Sequence, residues 1–304
     1  MNKEPLVSIT MNCYNSDTYL KEAIDSVFLQ TYQNFELIFW DNQSTDNSAK
    51  IIKSYNDDRI KYFYAPTHTP LGEARNLAIE KVSGEWVAIL DCDDIWDKDK
   101  LRDAFLLLNS YKEKDDVTLL YSKTVYIDEN GDIFNYFKEH YSGNIHDLLL
   151  KRGDFVFISS AIFRTDRLNE VGKIDTNLHY AEDYDILLKV TKNRQALCVD
   201  AYHTYYRVHQ KNLTNSNVYE YDVENFEFLN GYIKKHNLPL NLRVHIFLNN
   251  SARMTASVVK LLTKKDFKNL WKITKEYWQY LLLSPYYLLY FILKRIKKSL
   301  SEKY

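Results

Sequence analysis

The 304-residue chain has almost no net charge, three cysteines, seven glycines and no long apolar run. With 40 Lys and Arg against 41 Asp and Glu, it lacks the basic surplus of a general nucleic-acid binder, so no nucleic-acid partner is expected. Cys13, Cys92 and Cys198 are widely spaced and odd in number. They read as reduced thiols of a cytoplasmic protein rather than a disulfide framework or a zinc site. Met1 to Pro5 run straight into a short apolar segment with no stretch of signal-peptide length, which argues against secretion. Nowhere does an uninterrupted apolar run reach the ~20 residues of a spanning helix. No G-x-G-x-x-G follows the first strand, which counts against a dehydrogenase. No Gly-rich, Lys- or Arg-bearing triphosphate loop lies near the N-terminus, which counts against a nucleotidyltransferase. Internal repeats and low-complexity linkers are also missing.

What is present is enough apolar material for a sizeable core, 45% of residues, so a folded chain is expected. The 25 Tyr and 15 Phe suit core and interface packing, with sugar stacking as the functional alternative. The first half alternates two patterns. Residues 6–11, 37–40, 60–64 and 86–90 read as strands. Between them, Leu20, Ala23, Ile24, Val27 and Phe28 share one helical face, residues 47–55 form a second helix, and a third follows Gly72. Ser16 or Asp17 is placed to cap the first helix. Strands that are almost continuously apolar, alternating with helices, predict a mostly parallel α/β sheet covered on both faces. Further extended runs are expected at 117–127, 155–163 and 196–208, with a turn at 128–131 and a helix over 182–193. Beyond about residue 217 only helical periodicity remains.

Ligands of such sheets bind beyond the carboxyl ends of the strands, and carboxylates stand there. Asp91-Cys92-Asp93-Asp94 directly follows the strand at 86–90. Three carboxylates in four residues repel one another unless a cation sits among them, and a hard ion such as Mg²⁺ or Mn²⁺ takes such ligands together with substrate phosphates. A solvated acidic turn is the plain alternative. Asp41 ends the second strand, where a base or ribose can be read, while Ser44 or Asp46 can cap the next helix. Arg75, near the start of the third helix, carries a forked guanidinium suited to a diphosphate. Cys92 is expected to point into the core.

In order and spacing, Val7-Ser8-Ile9 through Tyr14-Asn15, Asp41 to Asp46, Gly72 to Asn76 and Leu90 to Asp94 resemble the nucleotide-sugar-binding half of glycosyltransferase family 2, with its GT-A fold. Ala181-Glu182-Asp183-Tyr184-Asp185 resembles the family's acidic acceptor-site motif, and Tyr206-Arg207-Val208-His209 its downstream Tyr-Arg-x-His element. About the first 215 residues are covered. The resemblance implies that Asp41 holds the base, that Asp91 contacts the ribose, and that Asp93, with Asp94, binds the metal bridging the diphosphate. It makes Asp183 the general base, supported by Glu182. His209 would reach the metal or the diphosphate from a closing loop at 209–217, a packed histidine being the plain alternative. The sequence departs from the family at Asn42-Gln43, where Asp-Gly is usual, and that bears on base selectivity.

The expectation is therefore an inverting sugar transferase dependent on Mn²⁺ or Mg²⁺. It would move a sugar from a nucleotide-sugar donor, UDP-linked first of all, to a glycan or lipid-linked glycan in surface polysaccharide synthesis. A non-catalytic nucleotide- or glycan-binding subunit is the rival from another class. Residues 1–216 would form the catalytic domain, 1–96 on the nucleotide side and 97–216 on the acceptor side. Residues 217–304 would be a helical extension. Its apolar run 281–293, broken by Pro285, is followed by Lys294-Arg295-Ile296-Lys297-Lys298, which fits an amphipathic anchor on an anionic membrane surface. The protein is thus expected on the cytoplasmic face, peripheral to the membrane.

Overall fold

The computed structural model describes residues 4–212, 218–264 and 266–282. The expected alternation is realised as β1 (Val7–Cys13), α1 (Asp17–Phe28), β2 (Phe35–Asp41), α2 (Ser48–Lys53), β3 (Ile60–Tyr64), α3 (Leu71–Ile79) and β4 (Trp86–Ile89). Strands β1, β2 and β4 are buried on nearly every residue, as a sheet covered on both faces requires. Odd-numbered β1 residues Val7, Ile9, Met11 and Cys13 pack with Leu20, Ile24 and Val27 of α1. On the opposite face, Ile38 and Trp40 of β2 meet Ala74 and Ala78 of α3.

The chain continues through β5 (Ile95–Trp96), α4 (Lys100–Ser110), β6 (Val117–Ile127), β7 (Ile133–Tyr136), α5 (His146–Arg152), β8 (Ile162–Arg164), α6 (Thr165–Glu170), α7 (Glu182–Thr191) and β9 (Gln195–Arg207). The sheet order is β3-β2-β1-β4-β8-β6-β9-β5, with β7 added to β6. Strands β1 to β4 are parallel, β8 runs antiparallel to both β4 and β6, and β6 and β9 are parallel. Two reversals restore direction, so β1, β2, β4, β6 and β9 all finish at one edge. That edge collects the carboxylates.

One extended run differs from expectation. Residues 155–163 are not a single strand, because Ile158–Ser160 form a 3-10 turn and only Ile162–Arg164 join the sheet. The Ser160 N–H and hydroxyl both donate to the Phe157 carbonyl, at 2.8 and 2.7 Å. Such local bonds by serine compete with a β ladder.

By internal contacts the chain divides into two compact units. Residues 1–149 and 153–212 form the first, residues 150–152 and 213–304 the second. In the second, α8 (Val218–His236), α9 (Leu240–Thr263), α10 (Phe267–Glu276) and α11 (Trp278–Leu281) enclose Phe226, Met254, Leu261, Ile273 and Tyr277. The apolar run expected to anchor the protein is described only at residues 281 and 282, and the basic tail 294–298 lies outside the described residues.

Lys100, at the start of α4, is 1% exposed. Its ammonium donates to the Ser160 carbonyl at 2.7 Å and to the Ser122 and Thr204 hydroxyls at 3.2 Å each. Burial lowers its pKa to about 7. Unfolded lysine titrates near ~10.4, so the unfolded chain holds the extra proton between those values. Stability should therefore rise with pH across that window, by at most roughly 1.4 kcal/mol per pH unit from this group. Urea unfolding of wild type and Lys100→Met at neutral and mildly alkaline pH should show a steeper rise for wild type. Parallel curves would mean that the buried amine is not the titrating group.

Candidate active site

At the end of β4 the chain turns sharply, with the Asp94 N–H donating to the Asp91 carbonyl at 3.2 Å. The turn sends its three carboxylates apart. The Asp91 N–H donates to the Ser159 hydroxyl at 3.2 Å, and its carboxylate faces Arg75 Nη2 at 3.0 Å. Cys92 turns inward, as expected, and its thiol meets the Asn12 carbonyl at 3.3 Å. Asp93 keeps 30% of its side chain exposed and lies 2.9 Å from His209 Nε2. Asp94 is 1% exposed. One of its oxygens accepts the Arg207 N–H at 2.9 Å, and the other has no hydrogen-bonding partner. Burial, then the charges of Asp93 and Asp91, push its carboxyl well above the usual range.

Arg207, the last residue of β9, is fully buried. Its guanidinium donates to the carbonyls of Asp93 at 3.0 Å, Asp128 at 3.3 Å and Glu129 at 3.2 Å, and to Glu22 at 2.7 Å. It lies 4.4 Å from the Tyr19 ring. One side chain thus ties α1, the turn after β4 and the turn after β6 together. Asn212 finishes the arrangement, accepting the His209 N–H at 2.6 Å and donating to the Arg207 carbonyl at 3.2 Å.

The second carboxylate group comes from α7. Glu182 and Asp183 occupy its first turn, where the helix dipole favours negative charge. Arg75 differs from the expectation of a guanidinium open to a diphosphate. It is 2% exposed and pairs with Asp183, with Asp91 at 3.0 Å and with Glu182 at 3.4 Å. Helix α3 is locked to the approach of α7 by Asn76, whose amide exchanges two hydrogen bonds with the backbone of Ile174 at 2.8 and 3.1 Å. Burial raises the Asp183 carboxyl to about 6, with Arg75 opposing the rise and Asp91 adding to it. Its side chain still keeps 28% exposure, so a proton can reach it.

Asp41 is also more enclosed than expected, at 0% exposure. It accepts from the Ser44 N–H and the Tyr62 hydroxyl, at 2.7 Å each. It therefore shapes the turn that follows β2. The amide of Gln43 reaches the Ala65 and Pro66 carbonyls at 3.0 and 2.8 Å, and Asn42 donates to the Thr69 carbonyl at 2.7 Å. Gln43 takes φ 70°, a left-handed conformation that costs a non-glycine residue energy, and its two side-chain bonds hold it there. Beside this turn, Tyr14 is half exposed and faces the His68 ring at 4.2 Å. Under α3, both amide atoms of Asn12, Trp40 Nε1 and Arg75 Nε are buried without hydrogen-bonding partners. Asn12 and Trp40 are in register on β1 and β2.

On the β6 side, five rings converge. Tyr126 lies 6.0 Å from Phe134, 6.4 Å from Phe137, 5.7 Å from Phe157 and 5.9 Å from Tyr206. Phe157 and Tyr206 are 5.1 Å apart. Phe134, on β7, is exposed. The structure thus joins Asp93 to His209, and Asp91 to Glu182 and Asp183 through Arg75. Sequence reasoning had no role for Ser159, Asn212, Asn12 or the aromatic cluster, and it cited Arg207 only as part of a motif. Among the described residues no group of three or more His, Cys, Asp and Glu is disposed to hold a metal.

Comparisons with known proteins identify the family and the fold. The profile of Glycosyl transferase family 2 matches residues 8–169. An uncharacterized glycosyltransferase of Rickettsia typhi is 30% identical over 272 residues, 86% of this chain and 81% of that protein. A Rickettsia felis glycosyltransferase is 33% identical over 62% of this chain but only 32% of its own length. The putative teichuronic acid biosynthesis glycosyltransferase TuaG of Bacillus subtilis is 39% identical over 33% of this chain and 40% of its own. Among solved structures, S. aureus TarS 1-349 in complex with UDP-GlcNAc superposes with a TM-score of 0.59 at 20% identity, covering 90% of this chain and 91% of that one. The mannosyltransferase PcManGT of Pyrobaculum calidifontis, in complex with GDP-Man and Mn²⁺, gives 0.62 at 15% identity, covering 97% and 88%. Fold, profile and relatives converge: the chain belongs to glycosyltransferase family 2 and is a glycosyltransferase of the GT-A fold.

Proposed function

We propose that this enzyme transfers a sugar from a nucleotide-sugar donor, UDP-linked in the first instance, to a hydroxyl of a glycan or lipid-linked glycan, inverting the anomeric centre. The observation that carries the reading is Arg75, which holds Asp91 on one side and Asp183 on the other. Two carboxylate groups, one for the donor and one for the acceptor, are thereby kept at a fixed separation.

On this reading Asp91 receives the ribose. Asp41 acts through the turn it orders, whose Asn42-Gln43 rim and Tyr14–His68 pair face the base. Arg75 reaches the donor by holding Asp91 in place rather than by opening to the phosphates. Asp93 and His209 suit Mn²⁺ or Mg²⁺. A hard divalent ion needs one or two protein ligands besides phosphate and water oxygens, and the second oxygen of Asp94 lies buried without a partner beside them. When bound, such an ion supplies charge neutralisation for the leaving diphosphate. Asp183 takes the proton of the acceptor hydroxyl, and the acceptor oxygen forms a bond to the anomeric carbon. The bond to the diphosphate oxygen breaks, and that oxygen leaves with the electron pair. A base with a pKa near the working pH is suited to this step. Glu182 helps hold Arg75 in place. TarS in complex with UDP-GlcNAc and PcManGT in complex with GDP-Man and Mn²⁺ support the donor class, and the name of TuaG supports a surface polymer as product.

Asp93→Asn should abolish metal-dependent UDP binding, read by calorimetric titration with Mn²⁺. Undiminished binding would remove Asp93 from the metal site. Asp183→Asn should lower transfer ~10²–10⁴-fold, the usual loss of a general base, with little change in UDP affinity. Because Asp183 must be ionised to accept the proton, wild-type transfer should rise as pH passes upward through about 6 and then level. The variant's residual rate should lack that limb, and a limb that persists would place the base elsewhere, Glu182 or Asp185 being next. Replacing Phe157 and Tyr206 together by alanine should raise the acceptor KM severalfold and leave UDP affinity alone. An unchanged KM would separate the aromatic cluster from acceptor binding.

A further inference from the structure

The helical unit keeps large apolar side chains in solvent where a soluble surface gains nothing from them. Phe267 is 66% exposed, Trp271 71%, Trp278 58% and Leu282 67%. On α10, Phe267 and Trp271 are four residues apart and so share one stripe. Leu270 and Ile273 turn the other way, into the core with Phe226 and Tyr277. The exposed stripe is therefore not a core face left uncovered by accident, because the same helix already buries its own apolar side.

Charge surrounds the stripe. Between residues 260 and 282 the chain carries six lysines, at 260, 264, 265, 268, 272 and 275, against Asp266 and Glu276, a surplus of four positive charges. Lys260, Lys264, Lys268, Lys272 and Lys275 are exposed. Asp266 is occupied in capping α10, accepting the Asn269 N–H at 3.2 Å. Lys268, Lys272 and Lys275 lie on the stripe next to Trp271, at successive helical spacings. Long lysine stems can lay their methylenes along apolar surface while the ammonium reaches outward.

Exposed tryptophan beside a row of lysines is the composition of a helix lying in a lipid–water interface. A second copy of the same face would bring lysines against lysines, which costs free energy at an interface. Among the described residues no helix is long and apolar enough to cross a membrane, so the fit is to a surface and not a span. We propose that α10 and α11 dock on an anionic phospholipid surface, with Phe267, Trp271, Trp278 and Leu282 at the depth of the headgroups and the lysines on lipid phosphates. The inference shares no residue with the candidate active site and does not depend on the sugar-transfer reading. It also differs from the anchor expected at 281–298, because it places most of the contact upstream, on α10 and α11.

The test is flotation of the full-length protein with phosphatidylcholine vesicles, with and without a third of phosphatidylglycerol, at low and high salt. Wild type should float with the anionic vesicles at low salt and be released by high salt. Substituting both Trp271→Ser and Trp278→Ser should weaken binding at least roughly tenfold. Lys268→Gln and Lys272→Gln should weaken it about fivefold each on anionic vesicles. All four positions are exposed, so thermal unfolding and nucleotide release from the donor should stay at wild-type levels. Those two readings keep failure of this proposal distinct from failure of the catalytic one. If wild type does not float, or if the tryptophan variant floats as well as wild type, the proposal falls. It also falls if wild type stays off vesicles but shows a concentration-dependent dimer in sedimentation that the tryptophan variant lacks.

Discussion

A single guanidinium makes the candidate site possible. Asp91, Glu182 and Asp183 reach the same place from a strand end and from the first turn of a helix about ninety positions later. Without a cation among them their mutual repulsion and burial would neutralise one or more. Arg75 supplies that charge at 3.0 Å from Asp91 and 3.4 Å from Glu182, and in direct contact with Asp183. Breaking one side of such a buried pair leaves an uncompensated charge and costs ~3–5 kcal/mol. The arrangement is thus held hard. Three carboxylates against one guanidinium still leave negative charge in excess; the Asp183 carboxyl is raised chiefly by burial, and Asp91 adds to the rise against the opposing charge of Arg75.

Arg207 plays the complementary part with main-chain oxygens. Buried carbonyls need donors, and the turns after β4 and β6 both present carbonyls that no ladder satisfies. The forked guanidinium answers three of them and Glu22 together, while its own N–H fixes Asp94. The two arginines divide the work: one positions side chains, the other the loops that bear them. Because β6 and β9 end at the same edge as β4, a residue two places beyond β9, His209, can meet one four places beyond Ile89 of β4, Asp93. Topology brings these together; the sequence distance between them is 116 positions.

Near-complete burial made β1, β2, β4 and β6 legible in the sequence, while β3 was legible from its apolar content alone, with no residue fully buried. Strands 60–64 and 117–127 are found at the bounds read from their apolar content, and the β-α alternation carried the sheet. Strand β7 was missed because Ile133, Phe134, Asn135 and Tyr136 are all exposed, so no buried period marks them. The extended run expected at 155–163 was a misreading of apolar residues around Ser159-Ser160, where the Ser160 hydroxyl and N–H close a turn instead. The acidic motifs were visible as motifs, yet their pairing was not. That Arg75 would face Asp183, 108 positions away, follows from how α3 and α7 meet at the sheet edge, and no local pattern encodes that. The bond from the Tyr62 hydroxyl that helps enclose Asp41 is likewise a product of β2–β3 packing.

The turn at Asn42-Gln43 limits how the rim of the proposed donor pocket can change. A glycine in the left-handed position would need no support, but it would offer none. Gln43 stands in that conformation and its amide spans to the loop at 65–66. The width of the pocket's rim is thereby set by the reach of one side chain, and the rim behaves as a brace rather than a hinge. Asparagine, one methylene shorter, could adopt the backbone but not close the span. A lineage that acquires glutamine here can change the opposing loop only as far as that brace allows, so the two segments must vary as a pair.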